Sequence, residues 1–99
     1  MHPNASKPIQ NRSTYQIGDL FIHKKHRFIV RIKSRGEWSS QRVVEVLKGD
    51  VPKVVQQRVQ GFTAPGSYEG HSWNAEMTYT TCALGLCFER LKAGQVLFG

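Results

Sequence analysis

Apolar and polar residues alternate along the first sixty positions of the chain, and the alternation breaks at glycine, aspartate and proline. A period of two sends successive side chains to opposite faces of a strand, so the pattern predicts a β meander. "GDLFIH" opens on a turn-forming Gly-Asp pair and continues as a first strand, and "RFIVRIK" forms a second. A three-residue loop of Lys24, Lys25 and His26 sets Ile22 opposite Phe28 and Leu20 opposite Val30, giving one wholly apolar face. The same register gathers Phe21, His23, Arg27, Ile29, Arg31, Lys33 and Arg35 on the other face.

Beyond this hairpin, "SRGEWSS" reads as a polar turn around Gly36, "QRVVEVL" as strand three, "KGDVPK" as a second turn and "VVQQRVQ" as strand four. Pro52 belongs in the turn or at a strand start, because it has no N–H to give to a ladder. Residues 61–75 then make a long loop carrying Phe62, Tyr68, His71 and Trp73. "EMTYTT" favours a fifth strand over 76–81. Leu84, Phe88 and Leu91 recur at helical spacing and point to a short helix up to Lys92, interrupted by Gly85. "QVLF" suits a final edge strand.

The first fourteen residues lack an apolar core or an Arg-rich amphipathic pattern, and they read as a flexible lead-in to one domain over 15–99. A chain of 99 residues has room for a single small core. Its 39% apolar and 21% charged composition excludes both a disordered chain and a membrane span. The expectation is a cytoplasmic protein with no membrane partner.

"YQIGDLFIHKKHRFIVRIKS" places an aromatic, a Gly-Asp turn, an alternating strand, a basic turn and a second alternating strand in succession. That order resembles the opening of the SH3-like small barrels. The resemblance implies an all-β or β-rich α+β domain: a five- to six-stranded small barrel closed by a short C-terminal helix or helical turn. Members of that class bind proline-rich peptides, modified histone tails, RNA, DNA or small molecules.

Charge sharpens the picture. Net charge is +7, and residues 1–60 hold twelve Lys or Arg against four acids, whereas 61–99 hold two against three. Such asymmetry creates a directional field that attracts polyanions, although the same charge also serves solubility. Within 23–35 the side chains of Arg31, Lys33 and Arg35 recur every ~7 Å on one strand face, a spacing compatible with successive phosphates. With Lys24, Lys25, Arg27, the rings of Phe21 and Trp38, and stacking of bases on those rings, they form the candidate nucleic-acid site. The bland alternative is a solvated strand kept from pairing by its charge.

A second candidate surface is Phe62, Tyr68, His71 and Trp73, suited to a protein partner or a homo-oligomer; the same aromatics could equally cap the end of the domain. A small-ligand binder is a third. No nucleophile, metal-protease or phosphate-loop signature occurs, so no catalytic residues, metal site or cofactor are assigned. Cys82 and Cys87 are placed poorly for pairing with each other. A zinc site borrowing His71 would lack a fourth ligand, so the expectation is buried, inert thiols.

Overall fold

The computed structural model describes residues 15–91. In chain order the elements are β1 (Leu20–His23), β2 (Ile29–Arg35), β3 (Gln41–Lys48), α1 (Lys53–Arg58), β4 (Gln60–Thr63), β5 (Gly66–Tyr68), β6 (His71–Trp73), β7 (Glu76–Thr80), α2 (Thr81–Cys87) and β8 (Phe88–Arg90). Six strands form one antiparallel sheet in the order β4-β7-β3-β2-β1-β8, and β5 and β6 form a separate hairpin. The strand-dominated fold with a short helix late in the chain is as the alternation predicts. The sheet, however, stays open: β4 and β8 end it without pairing to each other.

The β1–β2 register differs from the expected one by a residue. His23 N–H donates to the Phe28 carbonyl and Arg27 N–H to the His23 carbonyl, so the loop holds four residues, 24–27, with Arg27 at a φ of 62°. Four is an even count, and it pairs Phe21 with Val30 and Ile22 with Ile29. Phe21 therefore leaves the basic face and enters the core, while Ile22 turns outward to half-burial. The determinant is His23, whose Nδ1 accepts the Lys25 and His26 amides at 3.2 and 3.1 Å and so fixes the longer turn. Gly49 backs it from the far side: its φ is +88°, and a Cβ there would lie 3.1 Å from Phe28.

Phe21, Phe28, Val30, Ile32, Val44, Met77, Leu84 and Phe88 make the core. Burial of these side chains away from water is the main force holding the sheet together. The segment expected as strand four is instead α1. Val51, Val55 and Val59 pack against the core while Lys53 and Gln57, which a strand would bring to the same face as the valines, stay exposed, and a helix satisfies both. Pro52 precedes the first helical residue, and its carbonyl accepts the Val55 and Gln56 amides.

The expected loop 61–75 is largely strand, supplying β4 and the β5–β6 hairpin. Strand β7 ends at Thr80, whose side chain accepts the Ala83 amide and starts α2. The helix stops at Cys87, short of Lys92, and Phe88 continues as β8 beside β1. Gly85 is accommodated because the Tyr15 hydroxyl stands 3.0 Å from where its Cβ would be. Cys82 and Cys87 are free thiols but exposed, contrary to the expected burial, because α2 turns Leu84 rather than either cysteine to the core. The lead-in 1–14, Lys92 and "QVLF" lie outside the described residues.

Candidate nucleic-acid interface

Alternation along β2 does put Arg31, Lys33 and Arg35 on one exposed face, but they do not form an uninterrupted cationic row. Arg31 pairs in register with Glu45 of β3, and Glu45 with Glu76 of β7, so two carboxylates cross the sheet side by side. Arg31 Nε donates to Glu45 at 3.0 Å, Asn74 Nδ2 reaches the same carboxylate at 3.3 Å, and Lys33 bridges to Glu76. The Arg31 hydrogen bond is the main reason that the Glu45 carboxyl lies below its usual range, and the Glu76 hydrogen bond raises the Lys33 ammonium. Both cations are at least half committed to the sheet's own acids. A phosphate would have to displace those partners to use them.

Arg35 is exposed, and its register partner Arg42 is 3% exposed. The Arg42 guanidinium donates to the carbonyls of Tyr15, Ser39 and Gln41 at 2.8, 2.6 and 2.8 Å. Three carbonyl acceptors make Arg42 a buried brace for the β2–β3 turn. Beside it Trp38 is 65% exposed, its amide donating to Gln41 Oε1.

The aromatic platform expected at Phe21 is absent from the surface. Phe21 is 2% exposed, stacked on Tyr15 at 5.7 Å and covered by the Arg90 guanidinium 4.9 Å from its ring centre. Arg90 is held there by Asp19 at 2.9 Å. Ile29 is buried as well, so neither apolar residue of the proposed stripe offers a face for stacking.

The basic turn is different. Lys24, Lys25 and Arg27 are exposed and make no ion pair with the other described residues. The His23 ring beneath them stacks on Phe28 at 4.9 Å and meets Phe88 edge-on at 5.0 Å. Burial, then the neighbouring charges of His26 and Lys25, hold His23 below the ordinary histidine range. A neutral imidazole is what the two amide-to-Nδ1 hydrogen bonds require, so the same ring that anchors the core also shapes the cationic tip. A seven-residue strand separates this tip from Arg35 and Trp38, about 23 Å at the usual rise.

The aromatic surface divides likewise. Phe62 is half-buried against the core. Trp73 donates from Nε1 to the Ala64 carbonyl and lies so close to Gly66 that a Cβ would approach its ring to 2.6 Å. It closes its own hairpin. Tyr68, 69% exposed, and His71 remain outward at the same hairpin.

Sequence reasoning missed Arg58, because a strand through 54–60 gives it no defined neighbour, whereas α1 carries it to a groove shared with Lys25. The available signal was Lys53 and Gln57, polar residues at the positions that a strand would place on the same face as Val51, Val55 and Val59. Among the described residues no group of His, Cys, Asp or Glu is arranged to hold a metal ion, and no helix is long and apolar enough to cross a membrane. Comparison of the chain with protein-family models, curated proteins and solved structures gave no match.

Proposed function

We propose that the protein is a non-enzymatic, SH3-like binding module that engages the phosphate backbone of nucleic acid through its β1–β2 turn. The observation carrying this reading is the cluster of Lys24, Lys25 and Arg27, three exposed cations without ion pairs among the described residues, on one braced turn. Phosphate contacts of that kind position a polyanion without reading its sequence. The SH3-like assignment is supported by strand order. Five strands run β8-β1-β2-β3-β7, with a short helix between the last two in sequence, which is the arrangement of a small barrel that has been opened out.

The test is the salt dependence of binding to a mixed-sequence oligonucleotide. Each neutralised phosphate releases condensed counterion, so replacing Lys24, Lys25 and Arg27 together by Gln should reduce the log-log slope by roughly 2 to 3 units. Replacing Arg31 and Lys33 should change it less, because Glu45 and Glu76 already neutralise them. An unchanged slope in the turn variant would overturn the reading. A protein-interaction role has one specific observation in its favour, the exposure of Tyr68 on the separate β5–β6 hairpin. Nuclease-resistant association lost on Tyr68→Ala would select it.

A further inference from the structure

The side of the basic turn that faces α1 opens onto a groove of about 640 Å³, bounded by β7 and α2 on its remaining sides. Its size is that of a small-molecule site, typically roughly 300 to 1,000 Å³. Lys25 and Arg58 line it from different elements, one from the β1–β2 turn and one from the last turn of α1, and neither makes an ion pair among the described residues. His23 and His26 lie between the two elements on the same wall. No Asp or Glu lines the groove among the described residues, although the opposite side of the turn has Glu89 beside Lys24 and Arg27. The local field is therefore positive and uncompensated on this side alone.

The rest of the lining mixes polar side chains, Gln41, Gln60, Thr78 and Thr80, with one aliphatic patch. Val54 and Val55 present from α1, Val59 from the residue that caps it, and Ala83 from α2. Val55 and Val59 also pack on the core, but Val54 is 45% exposed and has no such duty. Tyr79, below, is turned edge-on to Phe88 at 5.1 Å, which leaves the valines as the main apolar wall.

We propose that this groove binds a small organic anion with an aliphatic body, a medium-chain carboxylate being the chemistry it fits. The carboxylate would meet the Arg58 fork and the Lys25 ammonium, and the chain would lie along Val54 and Val59. Arginine matches a carboxylate with two parallel N–H donors, and burial of each methylene adds to affinity. This goes beyond nucleic-acid binding and stands without it, because Arg58 and Val54 take no part in that contact.

Octanoate is the probe, with acetate and octylamine as its two controls, titrated to about 5 mM and followed by amide chemical shifts. Saturable shifts confined to the neighbourhood of Lys25, Val54, Arg58 and Ala83 are expected. Acetate, lacking the body, and octylamine, reversing the charge, should bind at least roughly tenfold more weakly. Arg58→Gln should weaken octanoate roughly tenfold, and Val54→Asp should do the same by placing a like charge in the groove. Both positions are exposed, and a dispersed amide spectrum verifies folding. Lys24→Gln with Arg27→Gln should leave octanoate binding unchanged while weakening an oligonucleotide, which separates the two readings. Equal binding of acetate or octylamine, shifts centred elsewhere, no saturable binding, or indifference to Arg58→Gln would overturn the proposal.

Discussion

His23 links the core to the surface through one ring. Its faces and edge belong to Phe28 and Phe88, its Nδ1 to the amides of Lys25 and His26. Protonation would set an N–H against two N–H donors. The folded chain therefore resists it, and His23 sits below its ordinary value of 6.5. The sign of the linkage follows. As pH falls through 6.5 the unfolded chain takes up the proton first, so stability is full above that value and declines until the folded group also titrates. Thermal midpoints measured from about pH 8 to about pH 5 should fall with acid, and His23→Phe, which keeps the stacking but cannot protonate, should flatten that dependence while lowering the midpoint at pH 8. A variant with the parent's pH dependence would show that another group carries it. The histidine's role was not legible from the chain: alternation places side chains on faces, but only a count of loop residues sets the register. That count depended on a side-chain-to-backbone contact three residues away.

At the scale of elements, strands with an apolar face were legible and those without one were not. β3 and β7 alternate, and β2 does so from Val30 onward, so Val30, Ile32, Val44 and Met77 follow from pattern alone, whereas the burial of Ile29 beside Val30 does not. By contrast β5 and β6 hold no buried residue, and polar, Gly-rich composition conceals them. Val54 and Val55 of α1 favour strand by propensity, yet packing of Val51, Val55 and Val59 on the core with Lys53 and Gln57 outward prevails, as tertiary packing commonly overrides local preference. Of the candidate site, the exposure of Arg31, Lys33 and Arg35 was readable, whereas their partners Glu45 and Glu76 lie 14 and 43 positions from the cations they meet. The β5–β6 hairpin carries a prediction of its own. An isolated two-stranded sheet is marginal in water, and here Trp73 folded over Gly66 is its principal clasp. Amides of 66–68 and 71–73 should exchange faster than those of β2 and β3. Trp73→Ala should abolish their residual protection while costing less than ~1 kcal/mol globally. A large global loss would mean that the indole braces the main sheet.

Across the whole molecule, charge and topology divide the protein differently. The cationic excess lies in residues 1–60, yet the structure spends part of it internally: Arg31 and Lys33 on acids and Arg42 on carbonyls, just as Arg90 outside that span is spent on Asp19 and the Phe21 ring. Among the described residues, cations left for partners stand at the two ends of β2, at Lys53 and at Arg58, so their number is smaller than the net charge suggests. The topology joins the two ends of the described chain. Phe21 pairs with Arg90 and His23 with Phe88, so β1, among the earliest parts of the domain to be made, is completed by the last described strand. Closing so long a loop is entropically costly and delays the contacts that depend on it. During synthesis β1 must therefore wait, with one edge unpaired and Phe21 uncovered, until residue 90 has cleared the ribosome. A chain released after Cys87 should remain protease-sensitive through 15–23 and prone to associate through that open edge, and limited proteolysis of stalled or truncated chains would detect it. Until β8 arrives, the hairpin that later presents the basic turn is itself an unfinished sheet, and its window of vulnerability in the cell lasts as long as translation of residues 88–90 is outstanding.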